Sequence, residues 1–120
     1  MSEYIAVKDC TLKLSVGDGT KTITTQPSSV FKIDGKGVYA KEIKVSISNY
    51  LGGAITDGNG LGVGTITSSA QHTKTKGEFV VLEGDESEQF TIKGTASGSY
   101  AEQVVTIKVQ SAGQNFTKGE

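Results

Sequence analysis

Apolar residues recur at every second position in several parts of this chain, and this spacing constrains the fold more than any other feature. The clearest runs alternate with polar residues and comprise Leu12 with Leu14, Ile43 with Val45 and Ile47, and Val105 with Ile107 and Val109. Such alternation is typical of strands with one apolar face. No window sustains the i, i+3, i+4, i+7 spacing of an amphipathic helix. We therefore predict an all-β protein of short β-hairpins with almost no helix.

Shorter segments rich in threonine, valine and isoleucine extend this prediction. They cover residues 4–7, 22–25, 30–33, 37–40, 63–67, 78–82 and 90–93. Residues that tolerate positive φ separate the runs and predict turns at Gly17-Asp18-Gly19, Asp34-Gly35-Lys36-Gly37, Gly52-Gly53, Asp57-Gly58-Asn59-Gly60 and Gly84-Asp85. The expected shape is a compact cone-like domain or a small sandwich or barrel. We assign turns to Gly35, Gly37, Gly77 and Gly84, and packing behind them to Val38, Phe79, Val81 and Ile92.

The length of 120 residues predicts a single domain spanning residues 1–120. Pro27 is the only proline, and it marks a break before the strand predicted at residue 30. Residues 1–27 could therefore form a separate N-terminal hairpin or cap.

A faint internal repeat is visible in the middle of the chain. It aligns Lys32-Ile33-Asp34-Gly35-Lys36-Gly37-Val38-Tyr39 with Lys74-Thr75-Lys76-Gly77-Glu78-Phe79-Val80-Val81. Both copies place a lysine, a turn glycine and an apolar strand in the same order. Either a duplication or two independent hairpins built from the same few residue types would explain the match.

The charges exclude several classes of partner. Every one of the 12 basic residues is lysine, and 13 acidic residues are interleaved with them. Without arginine the chain lacks the planar fork used for bidentate recognition of phosphate and guanine, so we expect no nucleic-acid partner. No apolar stretch is long enough to span a membrane, and the N-terminus lacks the pattern of a signal peptide. We expect synthesis in the cytoplasm.

Residues that could carry catalysis or bind metal are scarce. His72 is the only histidine and Cys10 the only cysteine, so a catalytic triad has one candidate base and a zinc site has two favoured ligands. Asp57-Gly58-Asn59-Gly60 lacks the ligand spacing of a calcium loop. The glycines from Gly58 to Gly64 precede a strand instead of the helix that a phosphate-binding loop requires. We predict no enzyme activity, no cofactor and no metal site.

Several short sequence segments together resemble the PAAR and PAAR-like family of spike-tip proteins. They are Ser29-Val30-Phe31-Lys32-Ile33-Asp34-Gly35-Lys36-Gly37-Val38, the glycine-rich middle, Phe79-Val80-Val81-Leu82-Glu83-Gly84-Asp85 and Ser111-Ala112-Gly113-Gln114-Asn115-Phe116. The resemblance runs from about Ser28 to the C-terminus. The family's proline-alanine-alanine-arginine repeats are absent, so the resemblance is to a divergent branch. Of the family's histidine and cysteine zinc ligands, the chain offers only His72 and Cys10 as candidates, and no metal site is carried over.

The resemblance implies a non-enzymatic tip or baseplate component of a contractile injection machine, such as a phage tail or a type VI-like system. Its partners would be a trimeric β-helical spike and, in some machines, effector cargo, and it would be assembled into a virion or injection particle. An immunoglobulin-like sandwich serving as a decoration, adhesion or carbohydrate-binding module is the alternative; it would use residues 4–15 as integral strands. Tyr39, Tyr50 and Tyr100 are candidate sugar-stacking residues or, equally, core and strand residues.

Overall fold

The structure, a computed structural model, describes residues 3–119, and within this range it is all-β. The alternating runs form strands as expected, and no helix occurs among the described residues. In chain order the strands are β1 Glu3–Tyr4, β2 Thr11–Leu14, β3 Asp18–Ile23, β4 Lys32–Ile33, β5 Lys36–Gly37, β6 Glu42–Gly52, β7 Ile55–Thr67, β8 Lys74–Thr75, β9 Glu78–Phe79, β10 Phe90–Ala96, β11 Ser99–Val105, β12 Ile107–Ser111 and β13 Lys118–Gly119.

Three extended segments from distant parts of the chain form a closed ring at the centre of the molecule. The amide of Ala6 donates to the carbonyl of Val81 at 2.8 Å, and the amide of Val81 donates to the carbonyl of Tyr39 at 2.9 Å. The amide of Tyr39 donates back to the carbonyl of Ala6 at 3.0 Å. Each segment thus gives one bond and receives one, so the three are related as by a three-fold axis.

A second set of bonds repeats the same three-fold pattern. Bridges join the first residue of each segment to the third residue of another, and they are Ile5 with Leu82, Val38 with Val7, and Val80 with Ala40. The next amides also follow the cycle, from Lys8 to Gly37 at 2.8 Å, from Lys41 to Phe79 at 2.7 Å and from Glu83 to Tyr4 at 2.8 Å. A residue with positive φ ends each segment: Asp9 at 77°, Lys41 at 69° and Gly84 at 92°. The ring is therefore a repeated unit present three times.

Alternation within the ring segments divides the core into two clusters. Ala6, Tyr39 and Val81 face the larger cluster, formed mainly by the long strands. Their neighbours Ile5, Val7, Val38, Val80 and Leu82 face a smaller cluster completed by Ile33 and Ala70. The ring thus has two faces, and each is covered by a different part of the chain.

Each ring segment directly follows one strand of a two-stranded ribbon, and we call this side of the ring the ribbon end. The ribbons are β4 with β5, β8 with β9, and β1 with β13. After each ring segment the chain runs through two further strands, which are β2 and β3, β6 and β7, or β10 and β11. We call the side that they build the sheet end. The molecule is elongated, with extents of 46 × 24 × 22 Å.

At the sheet end, five antiparallel strands lie in the order β11-β10-β7-β6-β3, and β12 pairs separately with β2. The glycines of β7 permit this packing. A Cβ on Gly60 would meet Ile92 Cγ2 at 2.8 Å, and a Cβ on Gly64 would meet the ring of Phe90 at 2.5 Å. These glycines therefore allow the side chains of β10 to approach the β7 backbone closely.

The described part of the first 27 residues is continuous with the rest of the fold and is not a separate cap. Ala6 and Val7 are fully buried in the ring, β2 pairs with β12 and β3 pairs with β6. The strands extend the same hydrogen-bonded network that residues 28–119 use. Residues from both parts of the chain thus share one hydrogen-bonded network.

Three local assignments made from the sequence are wrong. Asp57-Gly58-Asn59-Gly60 is not a turn but part of the long strand β7, and the Gly17-Asp18-Gly19 turn gives way to β3 at Asp18. Gly37 lies in β5 instead of at a turn, and its φ is not positive. It is glycine because a Cβ would collide with the carbonyl oxygen of Ser28 and would lie 2.9 Å from Pro27 Cβ.

Candidate functional site

The ribbon end carries the molecule's most regular surface, and its regularity begins with the turns. The β4–β5 turn uses Asp34 and Gly35 at φ 55° and 76°, and the β8–β9 turn uses Lys76 and Gly77 at 51° and 81°. Positive φ at both central residues is the type I′ geometry that suits the twist of a two-residue hairpin. The internal sequence repeat therefore corresponds to two ribbons of the same construction.

The third ribbon has the same register but joins distant residues. Tyr4 lies opposite Lys118, as Phe79 lies opposite Lys74 and Gly37 lies opposite Lys32. Sequence comparison of contiguous segments could not find this third copy, because its strands come from residues 3–4 and 118–119. The three ribbons place one lysine each at corresponding positions: Lys32, Lys74 and Lys118.

The residues that enter the ribbons also share one backbone arrangement. The carbonyls of Phe31, Thr73 and Thr117 accept hydrogen bonds from the first ring amides, those of Val38 at 3.0 Å, Val80 at 3.1 Å and Ile5 at 3.1 Å. The residue before each carbonyl lies in a bend and is exposed: Val30, His72 and Phe116. Three tripeptides, residues 30–32, 72–74 and 116–118, are thus equivalent; we call them the entry tripeptides.

Side-chain caps hold two of the three bends. Ser28 Oγ accepts the amides of Val30 and Phe31 at 3.2 and 3.0 Å. In the corresponding place Gln114 Oε1 accepts the amides of Phe116 and Thr117 at 2.7 and 2.9 Å. The Gln114 amide group also donates to the carbonyl of Ile5 at 3.0 Å, which ties this bend to the ring.

A buried carboxylate ties the segment that leads into the remaining bend to the ring. Asp85 Oδ2 accepts the amides of Leu82 at 2.8 Å and Ser69 at 3.1 Å, and Asp85 Oδ1 accepts the Ser69 hydroxyl. Asp85 is only 6% exposed, and its carbonyl accepts the amide of Val109 at 2.9 Å. Three donors on one carboxylate satisfy it without a buried cation. Neither Gln114 nor Asp85 was assigned this role from the sequence.

The residues selected for turns and packing are distributed over both clusters. Gly35, Gly77 and Gly84 have φ of 76°, 81° and 92°, the left-handed conformation that favours glycine. Val38, Val81 and Ile92 are fully buried, the first in the smaller cluster and the others in the larger. Phe79 is half-buried against the smaller cluster, and the ammonium of Lys74 lies 4.5 Å from its ring centroid.

The tyrosines considered as sugar-stacking platforms do not form one surface. Tyr39 and Tyr50 are 4% and 0% exposed and belong to the larger core cluster. The Tyr50 hydroxyl donates to the carbonyl of Val16 at 2.5 Å. Only Tyr100 of the three is exposed, on the edge strand β11. Two of these three candidates are therefore core residues.

Cys10 and His72 lie in different environments. Cys10 is buried in the larger cluster, and burial, followed by the nearby charge of Asp9, raises the pKa of its thiol to about 11. His72 is exposed in an entry tripeptide. Among residues 3–119, no group of three or more histidine, cysteine, aspartate or glutamate side chains is placed to hold a metal ion.

A polar cluster at the sheet end fixes the loop between β10 and β11. Asp57 accepts the hydroxyl of Thr95 at 2.5 Å and the amides of Ser97 and Gly98 at 3.1 and 2.9 Å. The bond from Thr95, followed by those from the backbone, lowers the pKa of Asp57. The Asp57 carboxylate is exposed to solvent and accepts these three hydrogen bonds, so we assign it the role of holding the loop.

Comparison with protein-family models, with curated proteins and with solved structures gave no match to this chain. Within the described range, no helix is long and apolar enough to cross a membrane.

Proposed function

We propose that this protein is a non-enzymatic plug that caps the end of a trimeric β-helical spike in a contractile injection machine. The observation that carries the proposal is the cyclic set of hydrogen bonds among Ala6, Tyr39 and Val81, which gives one chain an approximate three-fold axis. A single chain bound on the axis of a three-fold partner must present a similar surface to each subunit. This chain has three ribbons that can do so.

The need for such a cap follows from the physics of a sheet that stops. A β-helix that ends abruptly leaves backbone groups unpaired and apolar core open to water. The ring amides of this protein are already paired within the chain, as those of residues 5–8 show. We therefore assign the contact with the spike to ribbon and bend residues, and we assign to the ring the role of holding them rigidly.

The shape and the solvated surface also support a mechanical role. The molecule is about twice as long as it is wide, with extents of 46 × 24 × 22 Å. Its buried polar side-chain atoms among the described residues all have hydrogen-bond partners, so the frame has no unsatisfied groups that would loosen it. A rigid, narrow body can transmit axial load and can carry cargo on the side away from the spike.

The alternative is a decoration or adhesion module, and one observation favours it. The outer face of the five-stranded sheet exposes the apolar residues Leu61, Val63 and Val104. Exposed apolar side chains grouped on a sheet are a common feature of contact surfaces. Residues 4–15 are integral to the fold, as a sandwich would require, but they contribute one of three ring segments as well as strand β2.

Stoichiometry distinguishes the two functions. The full chain would be co-expressed with its cognate β-helical spike protein and examined by size-exclusion chromatography with light scattering. A plug gives one domain per spike trimer. A domain that elutes alone, or that binds the side of the spike with one copy per subunit, contradicts the plug and favours the decoration module.

A further inference from the structure

The three entry tripeptides place the same kinds of side chain at corresponding positions around the ribbon end. Their last residues are the exposed lysines Lys32, Lys74 and Lys118. Their first residues are also exposed, and two are apolar: Val30 is 65% exposed and Phe116 is 72% exposed. In two of the tripeptides an exposed apolar residue thus lies two positions before an exposed lysine.

None of the three lysines is neutralised within the part of the chain that the structure describes. The two ion pairs there join Lys21 to Asp18 and Lys44 to Glu42. Lys118 instead lies over the ring of Tyr4 at 4.9 Å, as Lys74 lies over that of Phe79. These ring contacts hold two ammonium groups in place and leave their charge available for a partner.

The two ends of the molecule differ in how well they keep the three-fold pattern. Each ribbon has two residues per strand and pairs in the same register. The strands that follow the ring are unequal, with 4 and 6 residues in β2 and β3, 11 and 13 in β6 and β7, and 7 each in β10 and β11. A symmetric partner needs equal contacts, so the ribbon end suits it and the sheet end does not.

We propose that the ribbon end is the docking face, and that each of Lys32, Lys74 and Lys118 meets an aspartate or glutamate carboxylate from a different subunit of a three-fold partner. This inference rests on the proposed function and adds the orientation of the plug and the chemistry of the contact. Val30 and Phe116 pack beside the ion pairs and contribute apolar contact area. The end of the spike must then be acidic around an apolar centre.

Charge reversal at the three lysines tests the proposal against a matched control. The test variant is K32E/K74E/K118E, and the control is K13E/K44E/K93E, which makes the same change of charge with one substitution in each of β2, β6 and β10. Binding to the purified cognate spike trimer is measured by calorimetry or interferometry. We expect the test variant to bind about 100-fold or more weakly, because like charges would face each other, and the control to bind within about 3-fold of the unchanged protein.

Three further measurements sharpen the result. The single variants K32E, K74E and K118E should weaken binding to a similar extent, and added salt should weaken binding of the unchanged protein. The neutral variant K32Q/K74Q/K118Q should fall between the unchanged protein and the charge-reversed one. All six lysines are exposed, so matching melting temperatures would show that each variant is folded.

The outcomes separate this inference from the proposed function. If the control variant loses binding and the test variant keeps it, the docking face is at the sheet end and this inference is overturned, while one domain per trimer still supports the plug. If neither variant changes the affinity, the lysine contacts are overturned. If the unchanged protein does not bind the trimer at all, both the inference and the proposed function are overturned.

Discussion

Replacing Asp85 by asparagine should destabilise the protein strongly, although it changes one atom of the side chain. The carboxylate accepts three hydrogen bonds, from the amides of Leu82 and Ser69 and from the Ser69 hydroxyl. An asparagine has one acceptor oxygen and an NH₂ group that would face one of these donors. Its oxygen can accept from the two amides, and the Ser69 hydroxyl can turn to accept from the NH₂ group, so in this site, which is 6% exposed, all three hydrogen bonds lose the charge of the carboxylate.

The expected cost follows from the hydrogen bonds that are weakened. A hydrogen bond to a charged group contributes about 1.5 to 3 kcal/mol, and one between neutral groups contributes about 0.5 to 1.5 kcal/mol. Over the three bonds of Asp85, we therefore expect D85N to lower the free energy of unfolding by about 2 to 4 kcal/mol. For a chain of this length that corresponds to a fall in Tm of about 8 to 16 °C.

Urea denaturation followed by circular dichroism at neutral pH measures this change. Asp34→Asn is the matched control, since Asp34 is exposed at φ 55° and asparagine tolerates that conformation; it should change stability by less than about 0.5 kcal/mol. Ser69→Ala should cost about 1 kcal/mol, and the double variant with D85N should cost less than the sum of the two. A D85N protein as stable as the control would refute the view that this carboxylate ties the segment leading into the bend to the ring.

Three other results are expected. Cys10 should resist alkylation in the folded protein at mildly alkaline pH and react once the protein is unfolded, because burial raises the pKa of its thiol to about 11. Rapid labelling of the folded protein, measured by mass spectrometry, would contradict this expectation. By NMR, the pKa of Asp57 should lie below the usual range of an aspartate, so its bonds to the β10–β11 loop should persist above that lowered pKa and be lost as the pH falls through it. Thr95→Ala should raise the pKa of Asp57, and an unchanged midpoint would count against the Thr95 hydrogen bond as the cause. Gly64→Ala should destabilise by about 1 to 3 kcal/mol in chemical denaturation, because its Cβ would lie 2.5 Å from the Phe90 ring, and Phe90→Leu should recover part of the loss if the clash is the cause.

Local features of this fold were predictable from the sequence. The alternation around Leu12, Ile43 and Ile107 correctly predicted β2, β6 and β12, since a strand with one buried face leaves that signature. The turn residues at Gly35 and Gly77 predicted two of the ribbons, because few residue types tolerate positive φ.

Features that depend on contacts between residues far apart in the sequence were not predictable from local patterns. Asp57-Gly58-Asn59-Gly60 has the composition of a turn, yet it continues β7, where Gly60 packs against Ile92 of β10. Strand β11 was missed except for its last residue, Val105, because Tyr100 and Val104 face solvent and no apolar run marks the rest of the strand. The third ribbon pairs residues at opposite ends of the sequence, so no contiguous pattern encodes it.

The ring also determines when the centre of the molecule can form during folding. Its hydrogen bonds join residues 6, 39 and 81, so no single bond of the cycle closes a short loop. Closing each bond costs the entropy of ordering a long loop before packing of the shared core stabilises the segments. The last bond requires all three segments to be in place. A molecule of this kind acquires its central structure late and in one step. Once formed, that structure opens slowly, because no segment can leave without breaking bonds to both of the others.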